Sequence, residues 1–305
     1  MRKLLKFSAL AFFIWIGYQV VYVTPQQKLM NQEVASRETQ NTFVEGFEDA
    51  PTTNALFRSD WSRWHELIIQ DNNFSIRRPL KYCLISLVDC FTNKAIGNHI
   101  EISTDIRRRG KNALKFKAAP FAKKWFGDSR IAIRRQLFDF GKDDHIYFSG
   151  WFYFEGPENK RGDEADNLND NLFLSFRARN ESLRTFGEPG PALFFNFRNY
   201  IGLRFDNWSP QMKEAHQDLL NRTQMPLNEW AEVKVHLKLS DLESEGLVEI
   251  WINDTKIIGE RTQTLPRADM KYSILEVGVG SNLNLKHGQT MYVDNIAVSP
   301  EKFID

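Results

Sequence analysis

Polar and aromatic side chains recur at every second position of several apolar runs, a spacing that places them together on one face of a β-strand. Planar aromatic rings can stack on sugar rings, and guanidinium groups bind carboxylate or sulfate in a bidentate manner. The predicted glycan-binding residues are Arg134, Gln136, Tyr147, Trp151, Tyr153, Arg177, Asn196, Arg198, Arg204, Lys234 and His236. The alternative for the same pattern is a solvated outer face whose lysines and arginines only keep the protein soluble.

Ten runs alternate apolar and polar residues with a period of two, which predicts antiparallel sheets with one buried face each. These runs are 113–118, 130–138, 145–155, 171–178, 192–198, 201–206, 231–239, 246–252, 274–280 and 290–298. One short helix is predicted over 210–220, with Ser209 as its N-cap. Because strands and helices do not alternate, the sequence predicts an all-β, two-sheet antiparallel β-sandwich or jelly roll over residues 43–305.

The same alternation predicts which side chains form the core. The predicted inward residues are Ile133, Leu137, Phe148, Phe152, Phe154, Leu193, Phe195, Phe197, Leu203, Phe205, Val233, Val235 and Leu237. Arg135 falls on the inward side of its run, so it is either an exception to the pattern or part of a bulge.

The N-terminal 24 residues predict a signal-anchor or a signal peptide. A basic start, 1–6, precedes 17 residues, 7–23, that are apolar apart from Ser8, Gln19 and two tyrosines. Because no small residues mark a cleavage point, a retained membrane anchor is favoured over secretion after cleavage. The polar residues 25–42 predict a stalk, and the basic flank predicts that the domain from residue 43 onward is extracytoplasmic.

Composition excludes several protein classes. The chain has 305 residues and 40 Lys and Arg against 39 Asp and Glu, a net charge of +1, which argues against a nucleic-acid binder. Its two cysteines, Cys83 and Cys90, could close a small disulfide loop outside the cytoplasm or remain two separate thiols. Five sequons predict glycosylation in a eukaryotic secretory pathway, at Asn73, Asn180, Asn207, Asn221 and Asn253.

A structural calcium site is predicted where the domain begins and ends. Glu48 near its start and Asp294 near its end supply the hard oxygen ligands that Ca²⁺ prefers, and the first and last strands of a jelly roll often lie side by side. In the alternative, Asp294 caps a turn or pairs with an arginine. The six histidines lack the spacing of a zinc site.

Several short motifs follow one another in an order that resembles a known superfamily. They are 110–114 (GKNAL), 134–137 (RRQL), 228–230 (NEW), 248–253 (VEIWIN), 277–279 (VGV) and 292–296 (YVDNI). Over roughly residues 43–300 the chain resembles the concanavalin A-like jelly-roll proteins, and within them the polysaccharide lyases of the alginate, glucuronan and heparin-lyase kind.

The resemblance implies a concave sheet that holds an acidic polysaccharide. Arg134 and Gln136 match the arginine strand of these lyases, with Gln136 where the family has Glu. The family's Gln-x-His strand corresponds to 173–177, which contains no histidine, and its strand ending in a catalytic tyrosine corresponds to 276–280, which contains no tyrosine.

These observations predict an extracytoplasmic, lectin-like module that binds an acidic polysaccharide. The alternative is a polysaccharide lyase acting by β-elimination, with Arg134 neutralising the uronate carboxylate and His236 or Tyr147 as the base. A third interpretation is a structural adhesion or assembly module at the cell surface.

Overall fold

Sixteen strands form two eight-stranded antiparallel sheets in the described part of the chain. The computed structural model describes residues 42–57, 64, 66–70, 98–118, 129–156, 171–180, 185–188, 190–195, 200–205, 219–282 and 288–304. Residues 41–305 belong to one compact unit. A single 3₁₀ turn, Thr53–Leu56, is the only helical element within the described ranges.

Sheet A contains the first and the last strand of the domain. Its strands are β1 Phe43–Glu45, β3 His99–Ser103, β4 Ala113–Ala118, β6 His145–Glu155, β12 Trp230–Lys238, β13 Leu247–Ile252, β14 Thr255–Arg261 and β16 Gln289–Ser299. Their order is β14-β13-β12-β6-β16-β4-β3, and β1 pairs with β16. The predicted neighbourhood of the first and last strands is thereby confirmed, with Val44 opposite Ala297.

Sheet B lies on the other side of the core. Its strands are β2 Glu66–Gln70, β5 Ser129–Phe140, β7 Asn171–Asn180, β8 Thr185–Glu188, β9 Pro191–Phe195, β10 Tyr200–Phe205, β11 Leu219–Gln224 and β15 Tyr272–Asn282. Their order is β11-β10-β9-β7-β15-β5-β2, and β8 pairs with β7. Strands β5 and β7 both pair with β15, which therefore occupies the interior of the sheet.

Phenylalanine rings from both sheets fill the space between them. Phe152 of sheet A meets Phe173 of sheet B edge to face at 5.2 Å between ring centroids, and Phe154 meets Phe195 at 4.9 Å. Such edge-to-face contacts add to the free energy gained by burying the rings. The alternation that predicted an inward face for these strands is confirmed, as is the two-sheet, all-β fold.

All ten predicted strands are present, within a few residues at their ends. Residues 210–218 of the predicted helix lie outside the described residues. Its last two residues, 219 and 220, begin strand β11 and are not helical. Leu219 and Leu220 pair there with Leu203 and Gly202 of β10. The hydrogen bonds between β10 and β11 join two separate segments of the chain. The local residue pattern that predicted a helix cannot indicate such bonds.

Two smaller features are also settled by the structure. Arg135 does lie on the inward side of β5, where its guanidinium carbon is 4.5 Å from the centroid of the Phe43 ring.

Asn253 and Asp254 both have positive φ, 48° and 64°, which is the conformation that closes a two-residue hairpin between β13 and β14.

Some predictions fall on parts of the chain that the structure does not describe. They concern the anchor 7–23, nearly all of the stalk, the cysteines Cys83 and Cys90, the core position Phe197, and the sequons at Asn73 and Asn207. Within the described ranges, no helix has the length and hydrophobicity needed to cross a membrane.

We expect replacement of Gly278, in the middle of β15, to be strongly destabilising. Gly278 has φ +142°, and a Cβ added there would lie 2.4 Å from the carbonyl oxygen of Ile131 on β5. Because backbone atoms cannot move aside as a flexible side chain can, Gly278→Ala should cost about 3 kcal/mol or more in the free energy of unfolding.

The matched control is Gly259→Ala on the edge strand β14. A Cβ at Gly259 would approach only the side chain of Lys256, at 3.3 Å. Chemical denaturation of both variants measures the difference, and equal stabilities would contradict the close approach of β15 and β5.

Candidate functional site

The structure divides the predicted glycan-binding residues between the two outer faces of the sandwich. Four lie on strands of sheet B: Arg134, Gln136, Arg177 and Arg204. Five lie on strands of sheet A: Tyr147, Trp151, Tyr153, Lys234 and His236. Asn196 and Arg198 are outside the described residues. Because packed sheets are about 10 Å apart and their outer side chains point in opposite directions, Arg134 and His236 cannot contact the same sugar.

On sheet B, three arginines converge on one carboxylate. Arg134 Nε donates to Glu276 Oε2 at 2.7 Å, and Arg177 Nε lies 2.7 Å from the same oxygen. Arg130 Nη2 pairs with Oε1, and Arg177 Nη2 donates to Oε1 at 3.3 Å. These four residues, Arg130, Arg134, Arg177 and Glu276, are called the arginine cluster below.

The strands position this cluster by register. Glu276 of β15 lies opposite Arg134 of β5 and opposite Ser175 of β7, so it stands between the two strands that carry arginines. Arg177 follows Ser175 by two residues on the same face, and Arg130 precedes Arg134 by four. The sheet therefore holds three guanidinium groups around one side chain without help from any loop.

Glu276 is ionised across the physiological pH range. Burial alone would raise the pKa of its carboxyl, since only 3% of the residue is exposed, but the charges of Arg177, Arg130 and Arg134 outweigh burial and lower the pKa to about 2. Burial also lowers the pKa of Arg177, and the neighbouring arginines act in the same direction. A carboxylate with such a low pKa is too weak a base to remove a proton from carbon.

A further cation, Arg204, lies level with Glu276 on sheet B. Arg204 of β10 lies opposite Ala192 of β9, which lies opposite Ser175 of β7. Three strand spacings, about 14 Å in total, therefore separate Arg204 from Glu276. Its guanidinium carbon is 4.7 Å from the centroid of the Phe194 ring. An ionic site and an aromatic-backed cation thus share the outer face of sheet B.

Sequence reasoning found Arg134 and Arg177 but missed Arg130 and Glu276. Glu276 is the only acidic residue in the otherwise apolar run 274–280, on the side opposite Leu275 and Val277, and that position is the signal that could have identified it. The two segments to which the family resemblance assigns proton transfer, 173–177 and 276–280, hold the ion-paired Arg177 and Glu276 but no histidine and no tyrosine.

On sheet A, the predicted residues are engaged with one another. His236 Nδ1 lies 2.8 Å from Glu249 Oε2, and its Nε2 lies 2.8 Å from His145 Nδ1. Because a carboxylate can only accept, His236 donates to Glu249 from Nδ1. Burial is the main cause that lowers the pKa of His145, followed by the charges of His236 and Lys238.

The chain segment after β16 covers part of this face. Ser149 Oγ donates to the carbonyl oxygen of Ile304 at 3.0 Å. Phe303 packs edge-on against Tyr147 at 5.2 Å and against Trp251 at 5.4 Å between ring centroids. Tyr147 in turn stacks on His236, with ring centroids 4.3 Å apart.

Trp151, Tyr153 and Lys234 have protein partners as well. The Arg108 guanidinium carbon is 4.1 Å from the centroid of the Trp151 ring, and Tyr153 contacts two other aromatic rings. Lys234 Nζ pairs with Asp254 at 2.8 Å and Glu232 at 2.9 Å, and the hydrogen bond to Asp254 is the main cause that raises its pKa. The predicted residues on sheet A thus form a network that is already satisfied within the protein.

The two predicted calcium ligands approach the same loop. Asp294 accepts hydrogen bonds from the amides of Arg108, Arg109 and Asn295, and Glu48 accepts from the amides of Lys111 and Asn112. Burial, together with a smaller effect of Glu48, raises the pKa of Asp294. Among the described residues there is no group of three or more His, Cys, Asp and Glu placed to hold a metal ion. The calcium site stays a prediction.

The arginine cluster makes stability depend on pH. Because the pKa of Glu276 falls from 4.5 to about 2 on folding, its contribution is present above pH 4.5 and is lost as the pH falls through about 2. This shift corresponds to about 3 kcal/mol. We expect Glu276→Gln to destabilise the protein by at least that amount at neutral pH, since it leaves three arginines without their shared partner.

Urea unfolding between pH 2 and pH 7 tests this expectation, and Glu276→Gln should lack the corresponding part of the acid dependence. Glu101→Gln is the control, because the side chain of Glu101 is 41% exposed and pairs with Lys115 at the surface. Identical pH profiles for the wild type and Glu276→Gln would show that the cluster does not stabilise the fold.

Comparisons with known proteins agree with this architecture. A family model described as polysaccharide lyase matches residues 57–297, which is most of the chain. The endo-β-1,4-glucuronan lyase of the fungus Trichoderma reesei is similar in structure, with a TM-score of 0.52, 13% identity, and coverage of 66% of this chain and 87% of that chain. Alginate lyase Aly36B gives a TM-score of 0.48 at 11% identity, with coverage of 88% and 100%.

No curated protein matches the sequence. The glucuronan lyase shares the fold, while the family match extends from Phe57 to Ala297, through every strand that carries the arginine cluster. The resemblance inferred from the sequence motifs is confirmed: the chain belongs to the polysaccharide lyase family.

Proposed function

We propose that the protein is a polysaccharide lyase that cleaves a uronate-containing polymer by β-elimination on the outer face of sheet B. The observation that carries this proposal is the convergence of Arg130, Arg134 and Arg177 on the carboxylate of Glu276. Family membership favours lyase chemistry over the lectin-like function that the sequence alone favoured.

The arginines would act on the carboxylate of the substrate. In β-elimination, a base removes the proton from the carbon next to the carboxylate, and the bond from the following carbon to the glycosidic oxygen breaks. A double bond forms between the two carbons, and the departing oxygen takes up a proton. Guanidinium groups placed at the carboxylate stabilise the negative charge that develops there, which lowers the barrier to proton removal.

The geometry supports carboxylate recognition because one carboxylate is already held in this way. Each guanidinium presents its N–H donors in a planar arrangement that suits a carboxylate. The cluster is also partly open to solvent, with side-chain exposures of 17% for Arg130 and 12% for Arg177. A uronate carboxylate could therefore bind beside Glu276 without replacing it.

A carbohydrate-binding function without cleavage is the second candidate. It is favoured by segments 173–177 and 276–280, which contain neither the histidine nor the tyrosine that the resembling lyases use for proton transfer. Under this proposal the same arginine cluster binds the polymer and leaves it intact. The apolar segment 7–23 supports the further proposal that the domain is extracytoplasmic and held at a membrane, where such polymers are met.

Arg134→Ala should lower kcat/KM about 100-fold or more, because it removes a donor aimed at the developing charge. The kcat/KM of Arg134→Lys should lie between those of Arg134→Ala and the wild type, since lysine keeps the charge but lacks the planar guanidinium. The measurement is the ultraviolet absorbance of the unsaturated product, with retention on immobilised polymer followed in parallel, over a panel of uronate-containing and sulfated polysaccharides.

Arg108→Ala is the matched control, since Arg108 stacks on Trp151 at the opposite face. Retention without absorbance in the wild type would replace the lyase by the binding function. If no polymer is retained or cleaved, both functions fail and the protein-assembly interpretation takes their place.

We also expect Tyr147→Phe and His236→Gln to retain wild-type turnover, although both residues were candidates for the base. They lie on sheet A, in contact with Glu249, His145 and Phe303 rather than with the arginine cluster. Progress curves for the two variants test this. A loss of turnover in a variant that keeps its thermal stability would move the reaction to sheet A.

A further inference from the structure

The chain segment after β16 lies across two aromatic side chains of sheet A. This segment, residues 300–304, is called the strap below. Phe303 of the strap contacts the rings of Tyr147 and Trp251 edge-on, and the carbonyl oxygen of Ile304 accepts a hydrogen bond from Ser149 Oγ. Ring contacts and a single hydrogen bond hold a segment less firmly than a full strand pairing does, so the position of the strap depends on how those two rings are held.

Each of the two rings is supported by a group that is bound to Glu249. Tyr147 stacks on His236, with ring centroids 4.3 Å apart and ring planes within 4°, and Lys256 Nζ lies 5.0 Å from the centroid of the Trp251 ring. Glu249 joins the two supporting groups, because its Oε2 lies 2.8 Å from His236 Nδ1 and its Oε1 pairs with Lys256. A movement of His236 therefore changes the support of the strap.

His236 is held on its other side by a second histidine. Its Nε2 lies 2.8 Å from His145 Nδ1, and the two ring planes are within 12° of each other. Two ring nitrogens at this distance share a hydrogen bond only when one of them carries no proton. When both imidazoles are charged, both nitrogens carry a proton, and the contact becomes repulsive. His145 and His236 are called the histidine pair below.

Charges of both signs surround the histidine pair. The charged residues on the surrounding elements are Asp144 before β6, Lys234 and Lys238 of β12, Glu249 of β13, Lys256 of β14, and the exposed Glu301 and Lys302 of the strap. Strand β16 contributes the neutral Ser299, which lies opposite Tyr147.

The surroundings of His145 favour its neutral form. Burial is the main cause that lowers its pKa below the ordinary value of 6.5, the charges of His236 and Lys238 act in the same direction, and Asp144 acts against them. The contact between the two rings is therefore present above pH 6.5 and is lost as the pH falls below that value, through the lowered pKa.

We propose that the histidine pair is a pH-sensitive latch for the strap. At neutral pH the pair supports Tyr147 against Phe303, and in mild acid the charging of both histidines separates their rings and releases the strap from sheet A. Release uncovers Tyr147 and Trp251 beside two imidazolium groups, so a covered aromatic surface becomes an open cationic one. The latch lies on sheet A and is independent of the function proposed for sheet B.

Amide hydrogen exchange of the full chain, read by mass spectrometry at pH 7.5 and at pH 5, tests the latch. After correction for the intrinsic effect of pH on exchange, the strap should exchange about tenfold faster or more at the lower pH. Peptides from β5 and β15, in the interior of sheet B, should stay protected. An unchanged strap would overturn the proposal, and so would an equal rise in β5 and β15, since that would show unfolding of the whole domain.

His145→Asn is the variant that assigns the response to the histidine pair. The amide nitrogen of asparagine can donate to His236 from a position near that of Nδ1, and it takes up no proton at either pH, so the strap should stay protected at both. Phe303→Ala should exchange rapidly at both pH values and thereby defines the released state. His99→Gln is the matched control, because His99 lies on the edge strand β3 of the same sheet, and it should keep the wild-type response. A wild-type rise in His145→Asn would assign the pH response to another group and overturn the latch.

Discussion

The ion cluster around Glu276 is the interaction on which the candidate site depends. Three guanidinium groups with little exposure to solvent are costly to hold close together, and the ionised carboxylate between them offsets that cost. Its position follows from the sheet, since β15 lies between the two strands that carry the arginines. Any change that shifts β15 against β5 therefore changes both the stability of the domain and the shape of the site.

The assignment of strands to sheets determines which residues can act together. Strands β5 and β6 follow one another in the chain, yet β5 belongs to sheet B and β6 to sheet A. Alternation within each strand identifies its outward residues, but it does not indicate which of the two sheets the strand joins. For this reason Arg134 and Tyr147, both outward on the sequence pattern, end on opposite sides of the core.

The ten predicted strands and the phenylalanine core could be predicted because the signal is local: a period of two over six or more residues of sequence. Short edge strands such as β1 and β8 carry too few residues for that signal, and β11 forms only through pairing with β10. Arg134 was identified from its motif, whereas Glu276 is an isolated acid in an apolar run. Its role in the site depends on Arg130 and Arg177, which are 146 and 99 positions away in sequence.

Glu276 also limits what the arginines can do for a substrate. Its charge allows them to be buried together, but it occupies N–H donors that a uronate carboxylate would need. The fold thus keeps its cationic groups in place with an internal carboxylate, and the same carboxylate limits how many of their N–H donors can serve a substrate.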